Sequence, residues 1–279
     1  MIKNVLSLFD GMSCGQIALN RCGIRYENYY ASEIDNNAIR VAMKNYPDTI
    51  QVGNVIDLKT DILPQIDLLI GGSPCQGFSI AGKKLNFEDP RSKLFFEFVR
   101  ILNECNPKYF LLENVRMKKE YEQIITDHLG VSPIRINSSL VSAQMRDRLY
   151  WTNIPNLTLP EDKKLSCKDI IDHTNTTINK ENWQNWWKIN HEFQLKKRYS
   201  VILNDVDKAI TMTARQVSNW NGNLIRSENG LRFLTPLEAE RLQTLPENYT
   251  DCVSNAQRYK MIGNGWTVDV ISHILKNII

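Results

Sequence analysis

The 279 residues, 42% hydrophobic and 23% charged, fall in the globular range, so one large domain, alone or with a small companion, and a sizeable buried core are expected. A net charge of +3 permits a polyanionic partner without demanding one, since ordinary surfaces carry such an excess. Six scattered cysteines without a CxxC speak against a disulfide framework and a zinc site, so no metal is expected and a reducing compartment fits; no apolar stretch reaches membrane-spanning length, so the chain reads as soluble and unexported.

From Val5 to about Pro155 short apolar runs alternate with amphipathic stretches. VLSLF, YYAS, IDLLIGG, YFLLENV and RLYWTNI read as strands, and segments such as NAIRVAMKNY and KLFFEFVRILNE read as helices. That rhythm predicts an α/β fold of parallel strands with crossover helices. In such a sheet ligands sit outside the carboxyl ends of the strands, and there stand DGMSCG, Glu33, SPC and ENV. From about Asn156 to Gly230 the rhythm fails and the text turns polar and aromatic, as a separate insert would, with Trp183, Trp186 and Trp187 as its small core. At TPLEAERLQ a helix is signalled, with Thr235 as cap, Pro236 in the first turn and Glu238 completing a capping box. WTVDVISHILKNII has a helical apolar face and is expected to pack back on the first domain. The predicted organisation is 1–155, an insert at 156–234, and a return over 235–279.

Cys75 follows a proline just beyond a buried strand, where it would be exposed. A thiol titrates at roughly 8.5 unless a cationic or dipolar setting lowers it, and the plainer reading of a lone cysteine is a small buried hydrophobe. Glu113 ends an apolar strand, where a carboxylate is awkward to bury; it can serve as an acid beside a pocket, cap the next helix or meet a surface lysine. Gln144, Arg146 and Arg148 alternate, so in an extended strand all three face one side, either as solvated edge charges or as partners for an anion or a polar ring.

PCQ at 74–76, ENV at 113–115 and QMRDR at 144–148 stand in the order and context found in the C5-cytosine DNA methyltransferases, and the chain resembles that family over nearly its whole length. LFDGMSCGQIAL resembles the family's cofactor loop, GNGWTVDVISHIL its closing motif, and RFLTPLEAERLQTLPENYT the motif after its variable region. FDGxxxG and the tryptophan of GNGW resemble the animal de novo branch, whereas PCQGFSIAGK and TPLEAERLQTLP resemble bacterial restriction-modification enzymes.

The resemblance implies a Rossmann-like sheet for S-adenosylmethionine with a small inserted target-recognition region. It implies methyl transfer to C5 of a cytosine flipped out of a short duplex DNA sequence, through a covalent bond from Cys75 to C6. Glu113 is then the acid at N3, Arg148 holds the base's O2 and Arg146 aids the same contacts. The mobile loop is 76–93, with Gln76, Ser79 and Lys83 on the DNA. For the cofactor, Phe9, Asp10, Gly11 and Cys14 line the first turn, and Glu33 holds the ribose hydroxyls with Ile34 at the adenine. Asn54, where the family usually has aspartate, and Val55 follow the third strand; an amide oxygen accepts the same hydrogen bond. Pro74, Leu94, Asn264 and Trp266 complete that pocket.

In the insert, Lys196, Lys197, Arg198, Arg215, Asn219, Trp220 and Asn221 are the candidates for phosphates and bases, with Arg215 suited to a guanine. Double-stranded DNA is the implied partner, a companion restriction endonuclease a candidate one, and the cytoplasm of a bacterium or phage-infected host the implied setting. Three rivals are a tRNA cytosine methyltransferase, which the bacterial-like loop 76–93 argues against; an inactive DNA-binding module, expected to have lost Cys75, Glu113 or the cofactor loop; and a nicotinamide-dependent dehydrogenase, whose G-x-G-x-x-G the first turn lacks.

Overall fold

The computed structural model describes residues 2–74, 90–172, 192, 196, 200–216, 222–227 and 230–278. Each apolar run predicted as a strand forms one: β1 (Asn4–Leu8), β2 (Asn28–Ser32), β4 (Leu68–Gly71), β5 (Tyr109–Val115) and β7 (Asp147–Thr152). With the short β3 (Ile50–Gln51) and β6 (Ile134–Asn137) they make a seven-stranded sheet of order β3-β2-β1-β4-β5-β7-β6. β1 pairs in parallel with β2 and β4, and β4 with β5. RLYWTNI departs from the parallel expectation, since β7 runs antiparallel to β5. Residues 138–146, which link β6 to β7, are too few for the crossover helix that a parallel return needs.

The strand order reverses between β1 and β4, because the chain first builds outward through β2 and β3 and then returns to the other side of β1. Open α/β sheets bind ligands at such a switch point, outside the carboxyl ends of the strands. The turns that flank it here are 9–13, after β1, and 72–74, after β4. β4 is buried at all four residues, as a strand covered on both faces must be. Helix α1 (Cys14–Arg21) follows the first turn, and α2 (Asn36–Asn45) is capped by Asp35, whose carboxylate accepts from the Asn37 N–H at 2.9 Å. α3 (Pro90–Cys105) sets Phe95, Phe98 and Ile101 into a core with Leu6, Leu8, Leu69, Leu112 and Trp151. The Trp151 indole N–H, buried with its ring, donates to Thr126 Oγ1 at 3.0 Å in α4 (Lys119–Leu129).

The chain divides into two compact units, residues 1–136, 147–159 and 270–279 in one and 137–146 and 160–269 in the other. Most of the expected insert, from residue 160 on, falls in the second unit together with 235–269. That unit holds a three-stranded sheet, β8 (Ser200–Leu203) parallel to β9 (Gly222–Ser227) and β10 (Gly230–Phe233) antiparallel to β9. Helix α5 (Pro236–Leu242) starts as predicted: Thr235 Oγ1 accepts from the Glu238 N–H at 3.2 Å, and the Glu238 carboxylate accepts from the Thr235 N–H at 2.7 Å. Glu238 is fully buried and meets both Nη groups of Arg232 at 2.8 Å, the bidentate geometry that buried carboxylates need. α6 (Asn255–Asn264) precedes α7 (Val268–Leu275), and from Val270 the chain has rejoined the first unit. There the Ser272 hydroxyl donates to the Ala18 carbonyl at 3.2 Å, so the closing helix returns to the first domain as expected. The expected tryptophan core lies outside the described residues, and no described helix is long and apolar enough to cross a membrane.

Candidate active site

Beyond Leu8 the backbone turns through three left-handed residues, Phe9, Gly11 and Ser13, with φ of 57°, 61° and 64°. For Gly11 this costs little; for Phe9 and Ser13 it is strain, which persists only where the surroundings over-determine it. Asp10 provides much of that hold. Its N–H donates to the Ser32 carbonyl at 3.1 Å, and its carboxylate accepts the hydroxyls of Ser13 and, at 2.7 Å, Tyr29. Burial pushes the Asp10 carboxyl up to about 6, against the pull of these hydroxyls. Cys14, the first residue of α1, is buried beside this turn.

At the end of β2, Glu33 Oε2 accepts from the Gly11 N–H at 2.7 Å, and Oε1 from the N–H groups of Ile34 (2.7 Å) and Asp35 (2.8 Å). Ile34 beside it is 71% exposed, an unusual place for a large apolar side chain. Past β3, Asn54 Oδ1 accepts from the Ile56 N–H at 3.2 Å and its Nδ2 donates to Asp57 at 3.1 Å. Val55 turns into the core, whereas Ile56 stands 58% exposed. Pro74 and Leu94 are half-buried, the latter against the core.

β5 carries Glu113, and a carboxylate only 12% exposed requires a partner. Arg148, equally shielded on β7, forms an ion pair with it, Nε 3.0 Å from Glu113 Oε1. In the register Arg148 lies opposite Val115, so the pair is a cross-strand diagonal. Asn114 Nδ2 donates to Ser73 Oγ at 3.1 Å, which ties the end of β5 to the segment that follows β4 and leads into Pro74. Cys75, Gln76, Ser79, Lys83 and Asn219 lie outside the described residues, as do Lys197, Arg198, Trp220 and Asn221.

Gln144 and Arg146 do not belong to the strand that carries Arg148, so the condition for a shared face is not met. The strand begins only at Asp147, and the residues before it are directed by their own partners. Gln144 Nε2 donates to the Leu242 carbonyl and its Oε1 accepts from the Met212 N–H, while the buried Arg146 guanidinium donates to the carbonyls of Met212 (2.9 Å), Gly263 (3.3 Å) and Gly265 (2.9 Å). Arg146 therefore belongs to the fabric of the second unit, and Arg148 alone meets Glu113. Arg215, Asn264 and Trp266 are also in the second unit, the first two exposed and the tryptophan buried; Lys196 is exposed.

The family model of C-5 cytosine-specific DNA methylases matches residues 3–129 and 135–279. The chain belongs to that family. It is 30% identical to the type II methyltransferase M1.ScrFI of Lactococcus lactis subsp. cremoris, over 99% of this chain and 77% of that one. It is 29% identical to the type II methyltransferase M.NlaX of Neisseria lactamica, over 98% and 95%. In fold the methylase is similar to the methyltransferase EhMeth of Entamoeba histolytica, with a TM-score of 0.79 at 18% identity over 99% and 98% of the two chains. It is likewise similar to the Dnmt2 methyltransferase of S. pombe, with a TM-score of 0.73 at 19% identity over 98% and 97%. The protein is thus an enzyme, a DNA methyltransferase acting at C5 of cytosine, on the seven-stranded sheet just described.

Two contacts beside the candidate site escaped sequence reasoning. Tyr29 reads only as a strand residue in YYAS, yet its hydroxyl reaches Asp10; the signal was a carboxylate in a buried turn with no lysine or arginine near it in sequence. Ser73 reads only as a residue before PC, yet it receives the amide of Asn114.

Proposed function

We propose that this methylase uses S-adenosylmethionine, adds the Cys75 thiolate to C6 of a cytosine turned out of duplex DNA, and methylates C5 within a short sequence read by the second unit. The observation that carries the reading is the shielded Glu113–Arg148 pair at 3.0 Å, on the strand next to the one that leads into Pro74 and Cys75.

S-adenosylmethionine fits the residues around β1 and β2. Glu33 is an acceptor suited to vicinal ribose hydroxyls, exposed Ile34 offers an apolar face to a purine, and nothing lies within 4 Å of where a Cβ on Gly11 would stand. The cofactor supplies, when bound, an electrophilic methyl group on a sulfonium.

Cytosine C5 is too weak a nucleophile to take that methyl unaided. The Cys75 thiolate bonds to C6 and drives the C5–C6 electron pair through the ring toward N3. Glu113 meets N3, where a proton held between carboxyl and ring nitrogen offsets the growing charge, and Arg148 takes O2. Once C5 has taken the methyl, leaving the donor as a neutral thioether, loss of the C5 proton to water as base returns an electron pair to the C5–C6 bond and expels Cys75 as thiolate. Gln76, Ser79, Lys83, Lys196, Arg215 and Asn219 are the assigned DNA contacts, and Arg215 is exposed as such a role requires. The type II relatives support a companion restriction endonuclease as partner, and their bacterial sources support a cytoplasmic setting.

Fluorine at C5 cannot leave as a cation, so a duplex carrying 5-fluorocytosine in the target sequence should hold the enzyme in a denaturant-resistant complex when S-adenosylmethionine is present. Wild type is expected to give that complex and Cys75→Ser none; an equal complex with Cys75→Ser would overturn the covalent assignment.

A further inference from the structure

We infer that Asp10, Tyr29 and Gly15 form a positioning clamp that fixes the cofactor loop from behind, an assignment that rests on the reading of this loop as the S-adenosylmethionine site.

β2 and Glu33 just past its end hold the loop at three points: the Tyr29 hydroxyl on Asp10 Oδ1 at 2.7 Å, the Ser32 carbonyl on the Asp10 N–H at 3.1 Å, and Glu33 Oε2 on the Gly11 N–H at 2.7 Å. Asp10 Oδ2 takes the Ser13 hydroxyl, so one carboxylate fastens both the strand and the start of α1. Gln16 extends the hold, donating Nε2 to Ser13 Oγ at 3.1 Å and to Thr49 Oγ1 at 2.8 Å. The strained residues Phe9 and Ser13 flank the anchored Asp10 and Gly11, and Ser13 is itself held through its hydroxyl. Gly15 belongs to the same device. A Cβ there would stand 2.4 Å from Ile70 Cδ1 and 2.6 Å from the Tyr29 hydroxyl oxygen, so glycine leaves the room in which that hydroxyl reaches Asp10.

The chemistry of Asp10 separates positioning from simple support. Around its buried carboxyl stand the hydroxyls of Ser7, Ser13 and Tyr29, the carboxylate of Glu33 and, farther off, Tyr26, and among the described groups acting on it there is no cation. A buried charge so placed weakens the fold, and burial raises its carboxyl to about 6. An asparagine has the same shape without that penalty, but one of its two terminal atoms is an NH2 donor, so the hydroxyls of Tyr29 on Oδ1 and Ser13 on Oδ2 cannot both keep donating as they do. Neutralising Asp10 should therefore help the fold and harm the loop.

The test uses the full chain at pH 8, with S-adenosylhomocysteine titrated calorimetrically and S-adenosylmethionine kinetics on duplex DNA. Tyr29→Phe removes one hydroxyl and is expected to raise Kd and KM at least fivefold while kcat at saturation stays within twofold. Asp10→Asn is expected to lose affinity by a similar factor while its melting temperature equals or exceeds that of wild type. The double variant should bind no worse than the weaker single one, as coupled sites require. Tyr30→Phe, the next residue of β2, should bind as wild type. Affinities of Tyr29→Phe and Asp10→Asn within twofold of wild type would overturn the clamp, as would losses matched by lower melting temperatures in both. Failure of wild type itself to bind either compound would overturn the cofactor assignment on which the clamp rests.

Discussion

Glu113 and Asp10 are both shielded carboxylates, and their surroundings give them opposite duties. Glu113 has Arg148 at 3.0 Å, so its charge is matched and its rotamer fixed at the end of β5. Glu113→Gln should lower kcat about a hundredfold or more, the usual worth of a proton-transferring group, while Kd for duplex DNA changes less than about threefold. Single-turnover methylation beside a DNA titration checks this, and a loss confined to DNA binding would remove Glu113 from the chemistry. Asp10 has hydroxyls but no cation in the described structure, and its carboxyl rises from 3.8 to about 6 on folding. The folded state thus keeps its proton where the unfolded chain loses it, so this contribution to stability is full below 3.8 and is lost as pH rises through about 6. Two pH units correspond to about 3 kcal/mol, and Asp10→Asn should remove that part of the slope. Urea midpoints of both proteins between pH 4 and 7 measure the difference, which should widen in favour of the variant as pH rises.

Among the elements, what was legible in the sequence was what depends on near neighbours. The strands were visible because β1, β4 and β5 are apolar runs buried on both faces, and α5 because Thr235, Pro236 and Glu238 signal a helix start within four residues. Thr235→Ala should cost about 1 kcal/mol through the lost cap. Arg232→Met should cost about 3–5 kcal/mol, because it strands the Glu238 carboxylate in a fully buried place, and adding Glu238→Gln, which removes the charge and keeps an acceptor for the Thr235 N–H, should recover part of that. Urea unfolding of the three variants checks the order. The alternation of Gln144, Arg146 and Arg148 misled because period-two spacing assigns a face only inside a strand, and β7 starts at Asp147. The carbonyls that direct Arg146 belong to Met212, Gly263 and Gly265, far along the chain, and nothing local in QMRDR announces them. The antiparallel turn of β7 was hidden for a like reason, since RLYWTNI is as apolar as a parallel strand would be.

At the scale of the whole molecule, the strand order explains why the motifs stand where they do. The reversal between β1 and β4 brings the turn after β1 beside the segment that leads into Pro74 and Cys75, and β5 adds Glu113 on the next strand. Ordered motifs could announce this because each is bound to a strand end. The segment 156–234 could not be read in the same way: its polar, aromatic composition suits phosphates, bases or a small core alike, and no pattern singles out Arg215. On the proposed reading, C5 of cytosine in DNA takes the methyl group of S-adenosylmethionine while Cys75 is bonded to C6. This chemistry is tested most directly by incubating the purified protein with labelled S-adenosylmethionine and unmethylated duplex DNA, with tRNA in parallel, followed by bisulfite sequencing. Label in DNA alone, at C5 of cytosine in one short context and absent with Cys75→Ser, is the predicted result; label in tRNA alone, or undiminished transfer to DNA by Cys75→Ser, would contradict it.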